Sequence, residues 1–264
     1  MRTDYETLRL DVDPARVVTI TMHRPEVLNA MNTRMMTEVR DCFTEFHLDQ
    51  DAAACVVLTG SGTRGFCTGA DLKERKGMSD AVWYRQHAMV QQMIRAVMEC
   101  PIPVIAAVNG AAYAGGCEVA LACDFIYAVE NATFALTEVT LGIMPGAAGT
   151  QNLPRAVGIR RAKEFILTGT PCTAAQAHAW GMVNRVCAAD KLMDEVLTVA
   201  SRIAANAPIS VRQAKRAIDK GAELTRASGY AFEIEAYYRT VPTEDRREGI
   251  LAFNEKRKPV YKGK

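Results

Sequence analysis

The stretch PVIAAVNGAAYAGGCEVALACDFIYAV, residues 103–129, decides the fold. Its two ends, PVIAAV and FIYAV, are short apolar runs rich in β-branched and aromatic residues, which read as buried strands. Between them two glycines, Gly115 and Gly116, lead into the run 117–123, which reads as a short buried helix. Strand, glycine turn and helix follow one another within 27 residues, which points to an α/β fold.

The same alternation continues outward. RVVTIT at 16–21 and CVVLT at 55–59 read as strands, and residues 33–46 between them space apolar side chains at helical intervals. Helical patterns also fit 81–100 and 160–168. From residue 173 the strand signal fades apart from 183–186, and helices are expected over 189–206 and 210–221. The chain therefore divides into an α/β core, residues 1–200, and a helical C-terminal region, residues 201–264, with no low-complexity linker between them.

Composition narrows the function classes. At 264 residues, 49% hydrophobic and 23% charged, the chain has enough apolar content for one large core. No apolar run approaches the roughly 18 residues of a membrane-spanning helix, and the acidic N-terminus MRTDYETLRLDVD resembles neither a signal nor a transit peptide. A cytoplasmic location is expected, or the mitochondrial matrix if a presequence has been removed. The eight cysteines show no CxxC spacing and read as reduced thiols, and no metal site is expected. The net charge of +2 is unevenly placed: residues 201–264 hold 14 Lys and Arg against 8 Asp and Glu, so +6 in the tail faces −4 in the rest. That basic end suits either a solvated helical face or an anionic ligand.

Three segments pair glycines with the approach to a helix, where backbone N–H groups lie open: GSGTRGFCTGADL (60–72), NGAAYAGGCEVALACD (109–124) and FALTEVTLGIMPGAAGTQ (134–151). A helix N-terminus after Gly115 and Gly116 can stabilise a developing oxyanion, and Glu118 sits in that first turn. Glu138 lies in an apolar context ahead of a loop of small residues. His23, His47, His87 and His178 read as surface or packing residues, Cys117 has no histidine near it in sequence, and the methionines at 35, 36, 89, 93 and 98 read as core filling.

On HRPEVLNAMN (23–32), GADLKE (69–74), AGGCEVALACD (114–124), TEVTLGIMPGAAGTQNLPR (137–155) and RREGILAFNEKRKP (246–259), in that order, the chain resembles the enoyl-CoA hydratase/isomerase, or crotonase, family nearly end to end. The resemblance implies a spiral of ββα units, a C-terminal helical region that makes a homotrimer or a dimer of trimers, and an acyl-CoA thioester as substrate. Coenzyme A then belongs to the substrate, and no separate cofactor is expected. The resemblance further implies that the amides of Ala70 and Gly115 form the oxyanion hole and that Glu118 and Glu138 are the catalytic carboxylates. Arg24, Val27, Thr68, Leu72, Lys73, Gly146 and Lys256 are the expected substrate-binding positions, with Arg24, Lys73 and Lys256 towards the CoA phosphates.

The expected reaction is reversible hydration of a trans-2-enoyl-CoA to a 3-hydroxyacyl-CoA. The alternatives are an enoyl-CoA isomerase, which one base can serve, and, from ADLKERKGMS and PTEDRREGILAFNEKRKPVYKG, a methylglutaconyl-CoA hydratase. The early helix 33–46 carries Glu38, Asp41 and Glu45 against Arg34 and Arg40, which argues against nucleic-acid binding. The chain departs from the family pattern at three positions. Glu26 stands where many relatives have a lysine, while Ala114 and Ala148 replace glycines and are expected to keep ordinary negative φ.

Overall fold

The computed structural model describes residues 2–264. β1 (Leu8–Val12) and β2 (Val17–Met22) pair antiparallel. α1 (Thr33–Leu48) follows, its N-terminus capped by the Asn32 side chain on the Met35 amide at 2.9 Å. Three consecutive units then repeat one plan. The first is β3 (Cys55–Gly60), β4 (Gly65–Cys67), α2 (Leu72–Arg75) and α3 (Asp80–Met98). The second is β5 (Val104–Val108), β6 (Ala111–Tyr113) and α4 (Gly115–Ala122). The third is β7 (Phe125–Val129), β8 (Thr133–Ala135), a 3-10 turn at Glu138–Leu141, α5 (Gly149–Val157) and α6 (Ile159–Thr168). After β9 (Cys172–Thr173), α7 (Ala174–Ala179), β10 (Arg185–Cys187) and α8 (Leu192–Ala204) come α9 (Pro208–Gly221), α10 (Arg226–Tyr238) and α11 (Glu244–Asn254).

Each unit gives its first strand to one sheet and its second strand to another. The larger sheet runs β1-β2-β3-β5-β7-β10 and the smaller β4-β6-β8-β9. From β2 onward the larger sheet is parallel, with Leu58 opposite Ala106 and Ala106 opposite Ile126. Every residue of β3 and β5 is buried, as expected of parallel strands covered on both faces, and this explains their unbroken apolar runs. The result is the ββα spiral that the sequence led us to expect.

The strands 17–22, 55–60, 104–108 and 125–129 and the helices over 33–48 and 80–98 lie where the sequence pattern places them, within a residue or two. The strand expected at 183–186 is shifted to Arg185–Cys187. The smaller sheet escapes a periodicity reading because β4, β6 and β8 have three residues each, too few to show an alternation.

Two contacts fix the geometry that matters for the site. α4 lies so close to β4 that a Cβ on Gly116 would stand 2.0 Å from the Cys67 carbonyl oxygen, so only glycine fits there. At the far end of the core, Lys215 of α9 reaches Asp124 at 2.7 Å and the Ile102 carbonyl at 3.1 Å, tying the helical tail to the sheet.

Candidate active site

α4 places its N-terminus at the wall of a cavity of about 560 Å³, in the range of small-molecule sites. Thr68, Ala70 and Leu72 contribute from the segment after β4, Gly115 and Glu118 from α4, Glu138 from the 3-10 turn, and Gly146 and Ala147 from the loop before α5. Trp83, Tyr84, His87 and Val90 line it from α3.

Ala70 and Gly115 meet because both chains bend sharply there. Gly69 has φ +91°, and a Cβ on it would be 3.1 Å from the Gly115 nitrogen; a Cβ on Gly115 would be 3.9 Å from the Ala70 nitrogen. Neither amide has a backbone acceptor among the described residues. Two adjacent open donors, one of them at a helix N-terminus, offer a cradle for a negatively charged oxygen.

Glu118 is buried at 3% exposure. Its Oε1 accepts hydrogen bonds from the amides of Ala147 at 2.8 Å and Gly149 at 2.9 Å. Those amides point the same way because Ala148 between them is left-handed, φ +67° and ψ +10°. Successive N–H groups turned to one side make an anion-binding concavity. Burial raises the Glu118 pKa above the ordinary carboxylate value, and the two amides pull against that rise. A Cβ on Gly149 would come 2.8 Å from Glu118 Oε1, so this approach also needs a bare backbone.

Glu138 is buried to a similar degree, 6% exposed, yet neither carboxylate oxygen has a partner among the described residues. Desolvation, with a smaller contribution from the Glu118 charge, pushes it up to about 7. The two carboxyls thus sit in one cavity in opposite surroundings, one held by backbone donors and one bare. Pairs whose environments separate in this way can divide acid and base duties.

The expectation of ordinary φ at Ala114 and Ala148 is corrected. Both are positive, +48° at Ala114 and +67° at Ala148. At each position the required turn, into α4 or between the Glu118-binding amides, outweighs the alanine's preference.

The remaining expected substrate-binding residues are dispersed. Arg24 is engaged with the Asp71 carboxylate at 3.0 Å and the Ala30 carbonyl at 2.6 Å, beside Glu26 at 4.0 Å. The Val27 carbonyl accepts from the Thr68 hydroxyl at 3.5 Å. Lys73 and Lys256 are exposed, Lys256 at φ +55°, and neither forms an ion pair among the described residues. Of the expected residues, Thr68, Ala70, Leu72, Gly115, Glu118, Glu138 and Gly146 line the cavity, whereas Arg24, Val27, Lys73 and Lys256 lie outside its wall.

The α3 wall lies outside the motifs that single out the site in sequence. His87 reads as a surface or packing residue, but it lines the cavity and its Nε2 lies 3.1 Å from the Gly146 carbonyl oxygen. The stripe Trp83, His87 and Val90, at helical spacing, is the signal that points α3 inward. Arg75 also borders the cavity, its Nε donating to Gln86 at 2.8 Å and its guanidinium carbon 4.3 Å from the Trp83 ring centre. The cysteines are all free and buried, and burial drives the Cys117 thiol well above its ordinary value, so it is no nucleophile. Among the described residues no cluster of ligands could hold a metal, and no helix is long and apolar enough to cross a membrane.

Open amides beside two buried carboxyls, all facing one apolar cavity, define an enzyme frame suited to acid–base chemistry on a carbonyl compound. The particular frame is a known one: the chain belongs to the enoyl-CoA hydratase/isomerase family, whose profile matches residues 13–264. It is 44% identical to the putative enoyl-CoA hydratase/isomerase YngF of Bacillus subtilis (strain 168), over 98% of this chain and 99% of that one. It is 39% identical to the short-chain-enoyl-CoA hydratase of Clostridium acetobutylicum, over 92% and 93%. Among solved structures, an enoyl-CoA hydratase from Bacillus anthracis superposes with a TM-score of 0.96 at 41% identity, covering 98% of this chain and all of that one.

Proposed function

We propose that this protein is an enoyl-CoA hydratase, adding water reversibly across the 2,3 double bond of a trans-2-enoyl-CoA to give a 3-hydroxyacyl-CoA. The observation that carries this reading is the pair of unlike carboxyls beside two open amides. The thioester oxygen accepts from the Ala70 and Gly115 amides, which stabilise the enolate that forms as water attacks C3. Removing one such donor typically costs about 3 to 4 kcal/mol of barrier. Glu118, with Oε1 saturated by amides, presents Oε2 to the water and takes its proton. Glu138, protonated up to about 7, delivers a proton to C2. Water's hydroxyl ends on C3 and a proton on C2; exchange with solvent returns Glu118 and Glu138 to their starting states.

Thr68 and Leu72 border the pantetheine side, and Lys73, exposed and without an ion pair, is the best placed to meet the CoA phosphates. The basic tail that contains Lys256 is a second candidate. Arg75 favours a narrower reading within hydratases. Its terminal nitrogens have no hydrogen-bond partner among the described residues, and it sits half-buried at the cavity wall. An acyl group ending in a carboxylate, such as methylglutaconyl-CoA, would complete it. Oligomerisation through residues 201–264 as a trimer or a dimer of trimers agrees with α10, where Tyr230, Tyr237 and Tyr238 are each more than 60% exposed.

The experiment is turnover of crotonyl-CoA, methylglutaconyl-CoA and a 3-enoyl-CoA, followed at the conjugated thioester absorbance. Hydration of the first two supports the reading. Binding without hydration of any 2-enoyl-CoA overturns it, and isomerisation of the 3-enoyl-CoA alone replaces it with an isomerase. A preference for crotonyl-CoA over methylglutaconyl-CoA removes the role given to Arg75.

A further inference from the structure

Glu118 is aimed by a loop, and that loop is itself braced from α3. His87 Nε2 lies 3.1 Å from the Gly146 carbonyl oxygen, and the Ala147 amide donates to Glu118 Oε1 at 2.8 Å. The Gly146 carbonyl and the Ala147 N–H are the two ends of one peptide group. We propose that His87 is a positioning residue for Glu118, acting through the single Gly146–Ala147 peptide; the inference rests on the reading of Glu118 as the base.

The hydrogen bonding selects the tautomer of the imidazole. A carbonyl oxygen can only accept, so Nε2 carries the hydrogen; Nδ1 is then an acceptor, and it receives the Gln91 side-chain amide at 3.1 Å. Gln91 lies one turn further along α3, so the ring is held from the helix that supports it. A donor on the carbonyl of a peptide polarises its N–H and strengthens the bond that N–H makes. His87 thereby both fixes the plane of the peptide and sharpens the donor that Glu118 receives.

The approach is built into the sequence of the loop. A Cβ on Gly146 would stand 2.7 Å from His87 Nε2, so a side chain there would force the ring away. The helix supplies the rigid end of this relay. The loop, which turns through left-handed Gly142 and Ala148, supplies the other end. The titratable groups that interact with Glu118 are His87 from α3, Glu138 from the 3-10 turn and Cys117 from its own helix. Among the described residues, the hydrogen bonds the loop gives Glu118 come from backbone amides.

The test compares His87→Leu, which keeps bulk without a donor, with His87→Gln, whose Nε2 can reach the same carbonyl. With crotonyl-CoA, H87L should lose about tenfold in kcat with KM within about twofold, the size of effect expected from a modest misplacement of a reacting group. H87Q should recover most of it. Carbon-13 NMR titration of the Glu118 carboxyl, which needs no turnover, should move upward in pH in H87L and return in H87Q. On a Glu118→Gln background H87L should cost nothing more, because its effect passes through Glu118. An unchanged Glu118 titration in H87L, equal deficits in H87L and H87Q, or a full further loss in the double variant each overturn the proposal. If H87L fails to fold, His87→Asn, whose amide is too short to reach, takes its place. Absence of hydration in the unaltered protein, with the NMR shift present, would sink the hydratase reading and leave the His87 relay intact.

Discussion

Glu118 and Glu138 face the same cavity and are almost equally buried, yet their surroundings are opposed. Glu118 comes from α4, a short helix packed against β4, and accepts two backbone N–H groups from a loop. Glu138 begins a single 3-10 turn, and its carboxyl oxygens accept nothing among the described residues. Buried carboxylates without donors are costly, and a fold that only needed stability would not keep one. On the hydratase reading we propose, the difference suits Glu138 to hold a proton and give it up, and Glu118 to stay ionised and take the proton of water.

The sharpest way to break this pairing is to remove each carboxyl in turn. Glu118→Gln and Glu138→Gln are each expected to lower kcat for hydration by about a hundredfold or more, with binding of the CoA ester nearly unchanged. The double variant should be little slower than the worse single one, since both groups serve one transition state. Near-normal turnover in either single variant, measured with crotonyl-CoA, would defeat the division of labour.

A substitution that leaves both carboxyls in place tests the loop. Gly149→Ala would put a methyl 2.8 Å from Glu118 Oε1 and push the carboxylate off its two amides. A loss of kcat of roughly ten- to a hundredfold is expected, with Glu138 untouched. Stopped-flow or steady-state rates at saturating substrate would show it, and an unchanged kcat would mean that the amides do not aim Glu118.

The pH dependence follows from the same contrast. Glu138 must be protonated to give its proton, and with a pKa of about 7 its contribution falls as pH rises, approaching tenfold per pH unit well above that value. The sign reverses for Glu118, which must be ionised and so fails on the acid side. Stability responds separately. The folded protein binds the Glu138 proton more tightly than the unfolded chain, whose value is near 4.5, so the stability this group contributes is complete below 4.5 and is lost as pH rises to about 7. At pH 8, Glu138→Gln should therefore be more stable than the unaltered chain, by about 3 kcal/mol at most, while being far less active. A denaturant titration at pH 4 and pH 8 checks this, and equal stabilities at pH 8 would show that the bare carboxyl costs nothing.

How much of this was readable in advance differs between the two carboxyls and the elements around them. Both glutamates are visible in sequence through the motifs AGGCEVALACD and TEVTLGIMPG, and the amides of Ala70 and Gly115 are singled out through the family resemblance of GADLKE and AGGCEVALACD. The long strands are visible because burial on both faces makes their runs continuously apolar. The smaller sheet was not, since three-residue strands carry no period. His87 is hidden for a different reason: the role we propose for it depends on a carbonyl 59 residues away, and only the packing of α3 against that loop brings them together. The bare state of Glu138 was equally hidden, because the absence of a donor is a property of the cavity and leaves no mark on local composition.

The smallest effect concerns the turn that feeds Glu118. Ala148 is left-handed at φ +67°, a conformation that costs an L-residue with a Cβ about 1 kcal/mol and costs glycine nothing. Ala148→Gly removes that strain but gives the unfolded chain more freedom, which takes back roughly 0.4 to 1 kcal/mol. The two terms nearly cancel, so stability should change by less than about 1 kcal/mol in either direction. The Ala147 and Gly149 amides keep their direction, because the turn is unchanged, and kcat should stay within about twofold. Thermal melting and steady-state hydration rates measure both. A clear fall in kcat at unchanged stability would mean that the Ala148 methyl holds the turn closed around Glu118, and that the aiming of this carboxylate depends on a side chain as well as on backbone.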